Sequence, residues 1–302
     1  MNTAVKISLF IAAAMLMVFL GLALVARNQA LDLVYFPLQD RPALNKTPGD
    51  FSLSYREVST RSIDGNLLHA WIIDSQNGAG IILQHGYKSD RTELLEEAAI
   101  LAKYGYGVLI SSIRAHDLNE GELIAFGINE MPDIDAWVTF LQGQESINPD
   151  KIGILGNSLG GLLAIQYAAE NEDINAVVAH SAFSSMQDTI NTSVKYYTDL
   201  PAFPFASLIG FWAEQEVDGK IADIDAKKWI SRLSPRPVLI MHSLSDVAIS
   251  SESGELLYAA AGEQKELWQV EGVAHASFDT QMAEEFELRV IGFFDEYVLN
   301  TE

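Results

Sequence analysis

Gly156-Asn157-Ser158-Leu159-Gly160 fits the pattern G-x-S-x-G. Its chemistry is nucleophilic: a serine is held on a strained turn so that its hydroxyl stands clear of the backbone. Such a turn excludes bulk on either side, and Gly156 and Gly160 meet that need. The pattern alone would arise by chance in roughly one chain of this length in ten, so context has to carry the weight. Ile152–Leu155 before it is a short apolar run of strand type, and Leu162–Glu170 after it reads as a helix. Ser158 then lies at the amino end of a helix, where developing negative charge is favoured. A glycine turn with a merely solvated serine would not need that placement.

A serine hydroxyl is a weak nucleophile at its free pKa. A histidine must take its proton, and a carboxylate must hold that imidazole in the productive tautomer. In enzymes built on such an elbow the chain order is serine, acid, histidine. Pro237–Met241 reads as a late strand, and His242-Ser243-Leu244-Ser245-Asp246 follows it, placing Asp246 just past its carboxyl end. The nearest rivals, Glu252 and Glu255, fall on the next predicted helix. Glu266–Val270 is the last strand, followed by Glu271-Gly272-Val273-Ala274-His275. Of the histidines after Ser158, His180 ends the strand beyond the elbow and His242 precedes the acid. His275 stands in the required loop. The expected triad is Ser158, Asp246 and His275.

Acyl chemistry also needs two backbone N–H groups aimed where negative charge appears. One is that of Leu159, next to the nucleophile. The second is expected from the loop after an early strand. Gly80–Gln84 is such a strand, it runs into His85-Gly86-Tyr87, and Gly86 allows close approach, so Tyr87 is the expected donor.

These residues need a frame. Tyr55–Thr60 and Leu67–Ile73 flank the turn signal Asp64-Gly65 and read as a hairpin. Gly80–Gln84, Val108–Ser112, Ile152–Leu155, Ala176–Ala179, Val238–Met241 and Glu266–Val270 are continuous apolar runs, as in parallel strands covered on both faces. Amphipathic stretches lie between them, one through Leu94, Leu95, Ala98 and Leu101 and another through Ile134, Trp137, Val138 and Leu141. The alternation predicts an α/β fold with a doubly wound, mostly parallel sheet, whose ligands bind at the carboxyl ends of the strands. Residues 183–232 break the rhythm; dense in aromatics and proline at 196–212, they read as a helical cap over the site.

At the other end, Ile7–Ala26 is 20 residues without a charge. As a helix it covers roughly 30 Å, enough to cross a bilayer's hydrocarbon core. The expected organisation is a tail (1–6), a transmembrane anchor (7–26), a linker through Pro37, Pro42 and Pro48 (27–54) and the catalytic domain (55–302), lying outside the cytoplasm. A cleaved signal peptide is the alternative, although the stretch is long for one and Leu24-Val25-Ala26 is a poor cleavage site. The apolar run Phe203–Trp212 could lie at the bilayer beside the anchor.

The 302 residues carry a formal charge of 19 − 41 = −22 and no cysteine. A nucleic-acid partner is therefore not expected, because phosphate binding needs a basic face. Disulfides, thiolate nucleophiles and cysteine metal sites are excluded. The six histidines show neither H-x-x-x-H nor H-E-x-x-H spacing, so neither a metal nor a cofactor is expected. Oligomeric state is not legible.

With these pieces the sequence resembles the α/β-hydrolase superfamily over roughly residues 55–300, through His85-Gly86-Tyr87, Gly156–Gly161, the strand ending near Asp246 and the Gly272–His275 tail. It is most similar to the serine aminopeptidase and prolyl-oligopeptidase-like branch. The resemblance implies ester, thioester or amide hydrolysis without a cofactor, and an apolar or lipid-like acyl substrate suits the aromatic cap. A carboxylic ester is the first expectation and a peptide or amide bond the alternative; a non-catalytic binding protein at a membrane is a third. Two motifs depart from the branch. Ser112-Ile113-Arg114-Ala115-His116-Asp117 stands for D-x-R-G-H-G, and His242-Ser243-Leu244-Ser245-Asp246 for H-G-x-x-D.

Overall fold

A computed structural model describes residues 2–39, 41 and 43–300, the side chains of 36–39 excepted. Met1, Asp40, Pro42 and the domain's last two residues therefore lie outside the described residues. Eight strands form one sheet: β1 (Arg56–Arg61), β2 (Leu67–Ile73), β3 (Gly80–Gln84), β4 (Gly107–Ser111), β5 (Ile152–Asn157), β6 (Ala176–His180), β7 (Val238–Ser243) and β8 (Lys265–Val270). Their order is β1-β2-β4-β3-β5-β6-β7-β8. The β1–β2 hairpin and the β2–β4 pair are antiparallel; every pair from β4 through β3 to β8 is parallel.

Alternation along the strands feeds two cores, one on each face. In β3, Ile82 joins one cluster while Ile81 and Leu83 join the other; in β7, Val238 and Ile240 part in the same way from Leu239 and Met241. Period-2 geometry sends neighbouring side chains to opposite faces, and here both faces are covered by helices. The helices are α1 (Thr3–Gln39), α2 (Leu95–Lys103), α3 (Met131–Gln142), α4 (Leu159–Glu170), α5 (Met186–Thr198), α6 (Ala202–Val217), α7 (Ala226–Ile230), α8 (Glu252–Ala260), α9 (Phe278–Gln281) and α10 (Ala283–Phe294). Trp137 of α3 and Leu162 of α4 lie in the first core; Leu101 of α2 and Phe286 of α10 lie in the second. The expected doubly wound sheet is the observed one, with α5, α6 and α7 filling the segment read as a cap.

One boundary moves. The first helix does not end at Ala26 but continues to Gln39, so the first part of the segment read as a linker is helical. Packing accounts for this. Ala26 and Ala30 are buried in a cluster with Phe205, Ala206 and Ile209 of α6, and Val34 is buried in the next with Val217. Tyr35 donates its hydroxyl to Glu216 at 3.2 Å. Before that contact most of α1 is bare, its large apolar side chains from Val5 to Val25 exposed except Leu22, which packs against the same cluster. The cap's Phe203 is also exposed, at 90%.

Candidate active site

β5 ends at Asn157, and the chain turns at Ser158 with φ 53° and ψ −111° before α4 begins. A side chain at positive φ is a strained arrangement that surrounding structure must enforce. The enforcement is close packing of backbone on backbone. A Cβ on Gly156 would fall 2.2 Å from the Gly160 carbonyl, and one on Gly160 would fall 2.2 Å from the Gln84 carbonyl oxygen at the end of β3. The Ser158 amide donates to His180 O at 2.8 Å, tying the turn to β6. Leu159 is the first residue of α4, so its N–H is one of the helix's unpaired amino-terminal donors. Gly86 faces the same turn: a Cβ there would meet Ser158 Cβ at 3.4 Å.

Asp246 and His275 arrive on the loops after β7 and β8. His275 Nδ1 donates to Asp246 Oδ2 at 2.6 Å. The Asp246 side chain is fully buried. Burial pushes its carboxyl up, but the hydrogen bond and charge of His275, the Ile249 amide and His242 together hold it below the usual carboxylate range. The two loops are clasped by the serines of the departed motif. Ser243 Oγ donates to Val273 O at 2.5 Å, and Ser245 Oγ accepts the Gly272 amide at 2.9 Å. The Ala276 amide donates to Ser181 Oγ at 3.1 Å, fixing the residue after His275 to the end of β6. His242 is buried with Nε2 3.6 Å from Asp246 Oδ2, too long for a hydrogen bond.

Ser158, Tyr87 and His275 line one cavity, a cleft of mixed polar and apolar lining shared with Gly86, Glu93 and Ala276. A second, apolar cavity begins at the same serine. Leu159, Phe183, Met186, Ile190 and Ile209 wall it together with Leu33 of α1. The two arms share Ser158, Tyr87 and Tyr197. All five residues expected from the sequence (Ser158, Asp246, His275, Tyr87 and Leu159) thus gather at the carboxyl ends of β3, β5, β7 and β8.

Others were not anticipated. Glu93 accepts the Gly86 amide at 3.3 and 3.4 Å and so braces the loop that carries Tyr87; burial pushes its carboxyl up. Asn157 donates to Glu97 Oε1 at 2.9 Å and accepts from His180 Nδ1 at 2.9 Å. His85 is buried and neutral, its pKa lowered to about 4 by burial. Its Nδ1 donates to Gly86 O at 2.7 Å and its Nε2 accepts the Ile113 amide at 3.0 Å, riveting the same loop to the segment after β4. No local pattern marks Glu93, whose partner comes through the fold. Leu33 did carry a signal: Ala26, Ala30, Leu33 and Val34 recur at helical spacing.

A model described as the prolyl oligopeptidase family matches residues 93–301. The α/β hydrolase domain-containing protein WAV2 of Arabidopsis thaliana is 28% identical over 253 residues, 80% of this chain and 78% of that protein. Among solved structures, the Pyrococcus furiosus esterase Pf2001 superposes with TM-score 0.72 at 26% identity, covering 86% of this chain and 98% of the esterase. The Pyrococcus horikoshii acylaminoacyl peptidase shares the fold, with TM-score 0.64 at 18% identity, over 82% of this chain and 42% of the peptidase. The architecture is the α/β-hydrolase fold, and these likenesses support hydrolase activity.

Proposed function

The chain belongs to the prolyl oligopeptidase family, and on that premise we propose that it is a serine hydrolase that cleaves a carboxylic ester through an acyl-enzyme. Ser158 Oγ attacks the ester carbonyl while His275 Nε2 takes the serine proton. Asp246 keeps the other imidazole proton on Nδ1 and stabilises the imidazolium. The tetrahedral oxyanion is held by the N–H groups of Leu159 and Tyr87. Its collapse breaks the bond to the leaving oxygen, which departs as the alcohol with the proton from His275. Water, deprotonated by His275, then attacks the acyl-enzyme and releases the acid and Ser158.

The observation that carries this reading is the 2.6 Å His275–Asp246 pair on the cavity that also holds Ser158. The two-armed shape favours an ester. The apolar arm suits an acyl group, and the mixed arm beside His275 suits a departing alcohol. Peptide or amide hydrolysis is the second reading, favoured by the family itself.

Ser158→Ala should abolish turnover of p-nitrophenyl acetate and labelling by a fluorophosphonate. Labelling that persists in this variant would remove Ser158 as nucleophile.

The same reading makes α1 an uncleaved membrane anchor. The most apolar 18 residues of α1 have a mean hydropathy of 2.8, and cleavage near Arg27 would cut a helix whose next turns are packed on the cap. The full-length protein should partition with membranes and resist high-salt washing. Recovery of a mature chain starting near Arg27 or Leu31 would reject the anchor.

A further inference from the structure

We propose that α1 is part of the substrate site as well as the anchor: its Leu33 walls the apolar arm, which takes the aliphatic acyl chain of an ester drawn from the bilayer. The inference rests on the serine-hydrolase reading of Ser158.

Three observations carry it. First, the arm is apolar along its length and opens from the nucleophile. Second, α1 is built into the arm. Tyr87 donates its phenolic hydroxyl to Leu33 O at 2.5 Å, so the residue expected to supply an oxyanion N–H also clasps the helix. The Ile124 amide donates to Val34 O at 3.1 Å one residue further on. The helical partner of the Leu33 carbonyl would be the N–H of residue 37, but that residue is proline and has none, so the carbonyl is free to accept from Tyr87.

Third, the arm lies close to the membrane-facing part of the helix. Between the exposed Val25 and Leu33, no large apolar side chain of α1 is fully exposed. Leu33 follows 33 − 25 = 8 residues later, about 12 Å along the axis. Arg27 lies between them, its guanidinium 5.8 Å from the Trp212 ring centre, a pairing suited to the headgroup level. Phe203 at the start of α6 is 90% exposed, and Phe211 is 53% exposed. An acyl chain leaving the bilayer beside α1 thus has apolar surface to follow toward Ser158.

The test uses the full chain, with fluorophosphonate labelling fixing the fraction of active protein in every sample. The readout is the ratio of kcat/KM for p-nitrophenyl octanoate to that for p-nitrophenyl acetate. The wild-type ratio should exceed ten. Leu33→Trp, which fills the arm, should lower it tenfold or more. Leu33→Ala, which enlarges the arm, should move the preferred chain length upward and keeps the test open should the tryptophan not fold. An unchanged chain-length profile in labelled Leu33 variants overturns the inference and leaves the serine hydrolase standing. Absence of labelling in the wild type overturns the hydrolase reading instead. The source of the ester is read with p-nitrophenyl palmitate dissolved in phosphatidylcholine vesicles that hold the protein. Turnover at least tenfold above that of detergent-dispersed ester is expected, whereas turnover of water-dissolved esters alone overturns the bilayer source.

Discussion

Asp246 divides its two carboxylate oxygens between His275 and the backbone of its own loop. Oδ2 takes His275 Nδ1 at 2.6 Å, and Oδ1 takes the amides of Ala248 and Ile249 at 2.9 Å each. Asparagine can keep the oxygen that faces the amides but would present an NH₂ to the imidazole. The imidazole must then accept at Nδ1, which leaves its proton on Nε2 and removes the base facing Ser158. Asp246→Asn should therefore fold normally while kcat falls by about 10³–10⁴. Thermal unfolding and steady-state kinetics on p-nitrophenyl acetate check this. A fall below tenfold would mean that Asp246 does not orient the base.

Gly160 makes a different kind of prediction, because its constraint is steric. A methyl group there would collide with the carbonyl groups of Gln84 and His85, at 2.2 and 2.7 Å. Backbone cannot swing away as a flexible side chain can, so β3 and the elbow must separate. Gly160→Ala should cost about 2–4 kcal/mol, the range for a large steric insult in a packed interior. Fluorophosphonate labelling should fall with it. A variant of wild-type melting temperature would show that the elbow is looser than the backbone packing implies.

The same contrast explains what could be read from the sequence. Ser158, Asp246 and His275 were legible because each sits in a loop whose neighbouring strand has a continuous apolar signature, such as Val238–Met241. Loop position after a known strand then places each at the carboxyl edge of the sheet, where the structure gathers them. The clasp of Ser243 on Val273 was not legible, since a serine in place of a motif glycine carries no partner in its local pattern. Glu93 was missed for the same reason. The extension of α1 is a weighing error: three prolines argued for a linker, while Ala26, Ala30 and Val34 already showed a buried helical stripe. Tertiary packing on α6 outweighs the local breaker signal.

Acid should unfold the protein through its buried imidazoles. Burial lowers His85 to about 4, and His116 and His180 to about 3, from an ordinary value near 6.5. The unfolded chain therefore binds protons that the folded one refuses, and stability is lost as pH falls below about 6.5 toward those lower values. Each imidazole should remove roughly 1–2 kcal/mol by pH 5. The midpoint of thermal unfolding should drop steeply between pH 7 and pH 4.5. A flat profile over that range would contradict neutral burial of these groups.

Buried carboxyl groups work in the opposite sense, Asp279 among them. Asp279 is pushed up to about 6 by burial, with Glu93 and Glu96 adding like charge, and it is coupled to buried Glu97, whose carboxyl burial also raises. Its folded pKa lies above the ordinary 3.8, so its neutral form favours folding. That advantage is complete below pH 4 and lost as pH rises through 6. Asp279→Asn keeps the neutral state at every pH. It should stabilise the protein by about 1–3 kcal/mol at pH 7.5, and the gain should shrink as the pH is lowered to 4.5. Differential melting of variant and wild type at the two pH values decides it; an equal difference at both would dismiss ionisation as the cause.

Asp117 offers the sharpest test, because the resemblance and the structure disagree on what should happen. Relatives often carry glycine at this position and at Ala115. Both residues adopt the left-handed backbone here without it, at φ 48° and 60°. Substituting glycine would relieve about 1 kcal/mol of backbone strain at position 117. Yet Asp117 also answers a buried charge: its Oδ2 lies 2.7 Å from Nε of Arg91, a side chain with no exposed surface, and accepts from Ser112 Oγ at 2.8 Å. Removing one partner of such a pair typically costs about 3–5 kcal/mol. Glu57, 3.1 Å from the same guanidinium, reduces the loss, as does the face of Trp71 at 4.3 Å. Asp117→Gly should therefore destabilise by about 2–3 kcal/mol despite the family's preference. In the Arg91→Met background the same change should cost less than about 1 kcal/mol, because no buried charge is left to strand. Denaturant unfolding of the four members of this double-mutant cycle measures both numbers. If Asp117→Gly were neutral in the presence of Arg91, the pair would not be what holds this glycine-free turn.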